Sequence, residues 1–433
     1  MTSPTAALDG PRIRADVSTD VERRLRLCFV CGDYPTFSGG RSGGIGTHTY
    51  ALANAIGALG HEVTVIANAS SDTRVVDGHA VVHGVPIGNR QWKLGRLLPI
   101  NWLRWSFAAN RTLRRLSQSQ DFDLVVFYDA YGEGFRFALD PFLPFVVRFG
   151  GPASVYHRWD GRDVPFVRAR TDEWVERLPP SRAQLTVCSS RPFAEYVSRE
   201  WGLDLSKFRF VRNPLDIRRF HPPAANEEPS HPLILFAGRI QPLKGTGDFV
   251  DAIPQVIREV PNVRFKIVGS DTRTGPGKSS FRADLEQRLR EGGALERVEF
   301  VETIPQSDLI PLYQQCTVFV LPCRNDVYPN SVLEAMGCGR PCIVTSTTGV
   351  AELVERADCG RIVPPSNPEA VAAAIKEVLQ LPRDARLAMG ARARAVVEEL
   401  CAPEIIGRQA LGVYREAIGL WGSRRRTLTR VPR

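Results

Sequence analysis

Arg239 and Lys244 lie five positions apart in Gly238-Arg239-Ile240-Gln241-Pro242-Leu243-Lys244-Gly245, directly after the apolar run 233–237. A guanidinium can fork two oxygens of an anion, and an ammonium acts on them as a point charge. Gly238 and Gly245 allow close approach of the backbone, so the loop suits a diphosphate. Asp326 and Glu334 follow a second apolar run, 318–321, and frame Asn330, Ser331 and Val332. Two cations for phosphate oxygens and two carboxylates for hydroxyls are what a nucleotide sugar requires. A glycosidase also needs two carboxylates, but flanking the scissile bond and without this pair of cations.

The elements that must position these groups can be read from the pattern around them. Run 318–321 is a buried strand ended by Pro322, and Asp326 lies on the loop that follows. Asn330 and Ser331 sit where a helix begins, with Glu334 in about its first turn; Gly337 and Gly339 stop it before a strand at 341–345. The carboxylates are therefore delivered to the carboxyl end of a parallel sheet beside a helix N-terminus, where α/β sheets bind ligands and where anions are favoured. Strands at 233–237, 263–268, 296–302 and 360–363, with a helix at 247–260, continue the same alternation.

The first half begins similarly. A strand at 25–30 leads into a loop, 32–46, that contains Gly39, Gly40, Gly43, Gly44 and Gly46. A helix at 47–59 and a strand at 62–67 complete a βαβ unit. Its first turn is about fifteen residues long, far from the tight turn of a nicotinamide site, and no acidic residue ends the second strand. Apolar strands at 80–85, 123–128, 145–149 and 185–189 suit a sheet covered on both faces. Residues 92–116 read as a basic helix, either an ordinary surface helix or one that touches a membrane or a lipid-linked acceptor.

With 433 residues, 43% hydrophobic and 24% charged, the chain can fill two α/β cores. The expected division is a leader at 1–22, a first domain at 23–214, and a nucleotide-sugar-binding domain at 215–402. A helix at 403–422 packs back on the first domain, and a disordered basic tail covers 423–433. No run is long and apolar enough to span a bilayer, so a cytoplasmic protein, or one peripheral to a membrane, is expected. The net charge of +9 favours anionic partners, but the basic residues are scattered, which argues against nucleic acid. The nine cysteines, Cys28 and Cys31 included, read as small core residues. Asp121-Phe122-Asp123 precedes a strand and reads as turn and cap rather than metal ligand.

Gly238-Arg239 with Lys244-Gly245, then Asp326 and Glu334 within Asp-Val-Tyr-Pro-Asn-Ser-Val-Leu-Glu-Ala-Met-Gly-Cys-Gly-Arg-Pro, resemble glycosyltransferase family 4, of the group 1 type. Asn213-Pro214-Leu215-Asp216 and Gly43-Gly44-Ile45-Gly46 extend the resemblance over residues 25–420. It implies a GT-B fold, with two Rossmann-like parallel-sheet domains facing a cleft, residues 23–214 binding the acceptor. It also implies retaining, metal-independent transfer of a hexosyl-type sugar from a nucleoside-diphosphate sugar, with no cofactor. By the resemblance, Arg239 and Lys244 hold the donor diphosphate. Asp326, where the family usually has Glu, contacts the transferred sugar, and Glu334 holds the ribose hydroxyls. The backbone at Gly44, Gly238, Asn330, Ser331 and Val332 approaches the donor. Many relatives carry a His after the strand at 145–149; here Phe149 and Gly150 stand there, and His157 is the nearest candidate for a sugar or acceptor contact. The acceptor class stays open among glycan, lipid-linked and small-molecule hydroxyls. The alternative is a catalytically silent nucleotide-sugar binder or partner subunit.

Overall fold

A computed structural model of the chain describes residues 23–37, 43–88, 95, 97–161, 163–224 and 231–429. The expected leader and the tip of the first glycine-rich loop fall outside these residues. The first half runs β1 (Arg26–Cys31), α1 (Gly44–Ala58), β2 (Glu62–Ala69), β3 (Thr73–Asp77), β4 (Ala80–Pro86), α2 (Ile100–Leu116), β5 (Leu124–Tyr128), α3 (Phe135–Leu139), β6 (Phe145–Phe149), α4 (Ala153–Trp159), α5 (Phe166–Arg182), β7 (Leu185–Cys188), α6 (Arg191–Trp201) and β8 (Phe208–Phe210). The second half runs β9 (Leu233–Ala237), α7 (Thr246–Glu259), β10 (Arg264–Val268), α8 (Phe281–Glu291), β11 (Val298–Val301), α9 (Gln306–Gln315), β12 (Val318–Leu321), α10 (Asn330–Gly337), β13 (Cys342–Thr345), α11 (Ala351–Ala357), β14 (Gly360–Val363) and α12 (Pro368–Gln380). Two long helices follow, α13 (Arg383–Cys401) and α14 (Pro403–Thr429).

The strands form two sheets, β3-β4-β2-β1-β5-β6-β7-β8 and β11-β10-β9-β12-β13-β14. Every pairing is parallel except β3 with β4, a hairpin on the edge of the first sheet. Strands β5, β6, β7, β12 and β13 are buried at every position, as continuous apolar runs covered by helices must be. In each sheet the order reverses beside the first strand, between β1 and β5 and between β9 and β12. Those switch points open crevices at the carboxyl edges. The loops after β1, β5, β9 and β12 all emerge there.

Three features differ from expectation. Helix α1 starts at Gly44 rather than 47. Glycine costs about 1 kcal/mol inside a helix, but less in a first turn whose N–H groups have no intrahelical partner. Helix α2 starts at Ile100, and the preceding residues 92–94 and 96 lie outside the described set. The tail expected to be disordered continues α14 to Thr429. Arginine is a good helix former, cations suit a helix C-terminus, and no Gly or Pro stands between Gly422 and Pro432.

Helix α14 lies against the first sheet. Ile406, Ala410, Leu411, Tyr414 and Ala417 share a core with Phe29, Leu52 and Ile56. The Tyr414 ring meets Phe29 edge-on at 6.3 Å. All nine cysteines are buried and unbridged, consistent with packing roles for Cys28 and Cys31. Asp123 caps β1, accepting from the Arg26 backbone N–H at 2.8 Å. Among the described residues no helix is long and apolar enough to cross a membrane.

Candidate active site

The loop after β9 is pressed onto the end of β12. Residues Pro242–Lys244 make a single tight turn closed by Gly245 at φ 70°. A Cβ at 245 would fall 1.8 Å from the Pro322 carbonyl oxygen, so only glycine fits. Gly269, at φ 155°, comes equally close to the carbonyl of Gly238 and fixes the start of the same loop. This docking brings Lys244 to Asp326, and its ammonium donates to Oδ2 of the carboxylate. Both side chains are largely buried, 16% and 7% exposed. Burial alone would pull the Lys244 pKa down, but the Asp326 charge and hydrogen bond help lift it above its ordinary value.

Asp326 also receives the hydroxyl of Tyr156 at 3.4 Å on its other oxygen. Tyr156 comes from α4, so Asp326 is a point where the two halves touch. Burial and the neighbouring carboxylate hold the Tyr156 pKa well above normal, keeping it a donor. His157, the next residue, is half-buried on the same helix. From α4 it is Tyr156 that meets Asp326. Arg239 is exposed, its charge is felt at Lys244 and Tyr156, and among the described residues no carboxylate pairs with it.

Helix α10 begins at Asn330 with no side-chain cap, as does α1 at Gly44. The two N-termini meet: Asn330 Nδ2 lies 3.5 Å from the Gly44 carbonyl oxygen. Uncapped helix starts present free N–H groups and a partial positive charge. Arg239, Lys244, Asp326, Asn330 and Gly44 thus converge on one cleft. Val332 points its side chain into the core and Ser331 is half-buried, leaving backbone as their contribution to the helix start. Glu334 lies one turn on, buried, and faces α9. Its oxygens accept from Gln306 Nε2 at 2.6 Å and Tyr313 Oη at 2.8 Å. Burial raises its pKa, and those donors with Arg219 restrain the rise.

Several residues had no role in the sequence reading. Arg148, the one charge in the β6 run, is 2% exposed. It donates to Ser189 Oγ, to the Val211 and Arg212 carbonyls and to Asn213 Oδ1, all within 3.2 Å. Asn213 in turn donates to Asn330 Oδ1 at 2.8 Å. A polar chain therefore links β6, the segment between the sheets and the start of α10. A charge inside a continuous apolar strand is the signal that marks Arg148.

Three buried carboxyls organise the rim of the first sheet. Asp129 accepts from the Gly150 and Gly151 N–H groups, and Glu133 from the Gly32 N–H and Trp105. Glu176 accepts from the N–H groups of Tyr131, Ala153 and Ser154. Burial raises their pKa values to about 7, 8 and 8 respectively. The loop after β6 so held packs under α1: a Cβ at Gly150 would meet Ile45 at 2.9 Å. Phe149 is in the core, ringed by Phe193, Trp201 and Phe208. Neither position can send a side chain into the cleft without repacking. Among the described residues no three His, Cys, Asp or Glu side chains group as metal ligands.

Comparison with known proteins agrees with this architecture. The chain is 25% identical over 399 residues to a protein named glycogen synthase from Mycobacterium tuberculosis, covering 86% of this chain and 90% of that one. It is 27% identical over 376 residues to D-inositol 3-phosphate glycosyltransferase from Xylanimonas cellulosilytica, covering 82% and 88%. Among solved structures, sucrose-phosphate synthase from Thermosynechococcus elongatus superposes with a TM-score of 0.75 at 20% identity, over 92% of this chain and all of that one. Anabaena HepE in complex with UDP-glucose superposes at 0.68 and 16% identity, over 91% and 100%. Residues 42–219 match the model described as Glycosyltransferase Family 4, and residues 231–381 match that of Glycosyl transferases group 1. With both halves matched and both sheets in the GT-B arrangement, the chain belongs to glycosyltransferase family 4 and is a sugar transferase of the GT-B type.

Proposed function

We propose that this transferase moves a hexosyl-type sugar from a nucleoside-diphosphate sugar to an acceptor hydroxyl, with retention of configuration and without a metal. The observation that carries the reading is the convergence of exposed Arg239, the Lys244–Asp326 pair and the two uncapped helix starts at Gly44 and Asn330. Positive potential from four directions suits a diphosphate, and Asp326 beside it suits a sugar hydroxyl. The donor enters as a substrate, and no cofactor is called for. In this reading residues 215–402 bind the donor and 23–214 the acceptor, with Glu334 on the ribose.

The chemistry follows from charge. The bond between the anomeric carbon and the phosphate oxygen breaks, and its electron pair leaves with the diphosphate. Arg239, Lys244 and the amides at Asn330, Ser331 and Val332 stabilise the growing negative charge. Lys244 stays protonated for this because its pKa is raised. The acceptor oxygen attacks the same face of the sugar and passes its proton to a diphosphate oxygen. Tyr156 and Asp326 fix the sugar between the two halves, and His157 is the remaining candidate near the acceptor. Relatives named for glycogen and inositol phosphate glycosyl transfer, and a fold relative solved with UDP-glucose, support the reading.

A panel of nucleotide sugars screened by thermal shift tests it, since a bound donor raises the melting temperature. The donor that binds should then be consumed when acceptor is added, and proton NMR should find its anomeric configuration kept in the product. Inversion would exclude the retaining mechanism. A donor that binds and is never hydrolysed or transferred would make the chain a silent binder.

A further inference from the structure

The outer surface of α2, α3 and α5 has a composition that the transfer reaction does not require. Between residues 166 and 177 of α5 the solvent-facing residues are Phe166, Val167, Ala169, Arg170, Trp174 and Arg177. Phe166 is 79% exposed and Trp174 56%. The acids of this helix turn the other way: Asp172 and Glu176 are buried, and Glu173 is bound to Arg158. Helix α2 contains no acidic residue, and its outer face presents Phe107, Arg111 and Arg115. Leu97, Leu98 and Leu139 are also exposed.

These residues form one surface. Arg168 joins α5 to α2, donating to the carbonyls of Gly95 and Leu98 and lying 5.2 Å from the Trp102 ring centroid. Phe135 of α3 meets Trp174 edge-on at 4.9 Å, and Arg136 lies over Phe107. The carboxylates along its border are engaged: Asp140 with Arg114, and Asp163 with Lys278 of the second half at 3.6 Å. That last pair bridges the two halves from the segment between α4 and α5, and α4 carries the Tyr156 that reaches Asp326, so this end of the surface lies toward the cleft.

Arg115 reaches Asp72 at 3.6 Å, whereas Arg111, Arg170 and Arg177 pair with no carboxylate among the described residues. Exposed aromatic and aliphatic groups interleaved with such arginines, and few acids, are the chemistry of a helix face seated at an anionic lipid interface. Aromatic rings settle at the headgroup level, and arginine stems lie along apolar surface with their heads on phosphate. We propose that the α2–α3–α5 face docks this protein peripherally on an anionic lipid surface, holding the cleft mouth toward it. On the glycosyl-transfer reading above, the acceptor is then membrane-resident; the docking itself does not depend on that reading.

Sedimentation of the full chain with vesicles tests the docking without any donor. Vesicles of phosphatidylcholine alone and of phosphatidylcholine with phosphatidylglycerol would be compared at low and high salt. The expected result is binding to the anionic vesicles that weakens with salt. Arg170→Glu/Arg177→Glu and Phe166→Ser/Trp174→Ser should each reduce it by roughly tenfold or more. Arg258→Glu, on the second half, should leave it unchanged. Melting curves establish that the variants fold; if the aromatic variant does not, the arginine pair decides. Absence of vesicle binding by the wild-type chain, or equal binding by both variants, overturns the proposal. So does a concentration-dependent dimer that the aromatic variant abolishes, because the face would then be an interface between copies.

Discussion

Lys244 and Asp326 are bound to one another in a largely buried site, so stability and chemistry are mixed in any single substitution there. Lys244→Ala removes the point charge from the leaving group and should lower kcat by about 10²- to 10³-fold. It also leaves Asp326 buried without its cation, which should lower the melting temperature. The double variant Lys244→Ala/Asp326→Asn should recover the melting temperature but not turnover. If turnover returned as well, Lys244 would be a structural residue only. Arg239 gives the converse case. It is exposed and has no carboxylate partner among the described residues, so Arg239→Ala should melt like the wild type while donor affinity falls roughly ten- to a hundredfold, the range of a lost hydrogen bond to a charged group. Titration calorimetry with the donor would check it. Both cations were legible as a pair from glycine spacing and strand position. The contact of Tyr156 with Asp326 was not legible, because it joins residues 170 apart in the chain.

At the scale of elements, the polar chain from Arg148 through Asn213 to Asn330 ties the start of α10 to the first sheet. Asn213→Ala should raise the donor KM several-fold with a smaller change in kcat, since it loosens one wall of the cradle and touches no reacting atom; steady-state kinetics would read the split. Arg148→Met removes donors from Ser189, Asn213 and two backbone carbonyls, and should destabilise by about 2–4 kcal/mol in urea melts. The strands of the second half were readable because they are short and largely apolar, and all but β11 have a Gly or Pro directly at one end. Two strands of the first half were not. The edge strand β3 (Thr-Arg-Val-Val-Asp) is only partly apolar and half-exposed, and β8 has three residues. Such segments become strands through their neighbours rather than through their own composition.

For the whole molecule, the carboxyls of Asp129, Glu133 and Glu176 predict a pH effect of definite sign. Their folded pKa values, about 7, 8 and 8, lie above those of an unfolded chain, so the folded state holds more protons in the interval between. Stability from these groups is complete below the unfolded pKa and is lost as pH rises through the folded values. The melting temperature should fall between about pH 6.5 and 8.5, and Glu133→Gln should flatten that slope. A melting temperature that rose over this interval would contradict the burial-driven shifts.

Helix α14 has a further consequence, for the order in which the protein is made. The strands of the first sheet leave the ribosome first, yet their core includes Ile406, Leu411 and Tyr414 from near the end of the chain. The second sheet has its strands and α12 complete before α14 is synthesised. Newly made first-half polypeptide must therefore wait, with an apolar face uncovered, until α14 has been synthesised. Chains stopped after residue 402 should have a folded second half and a first half that chaperones retain. Pulse proteolysis of stalled nascent chains would find the later-made domain resistant before the earlier one.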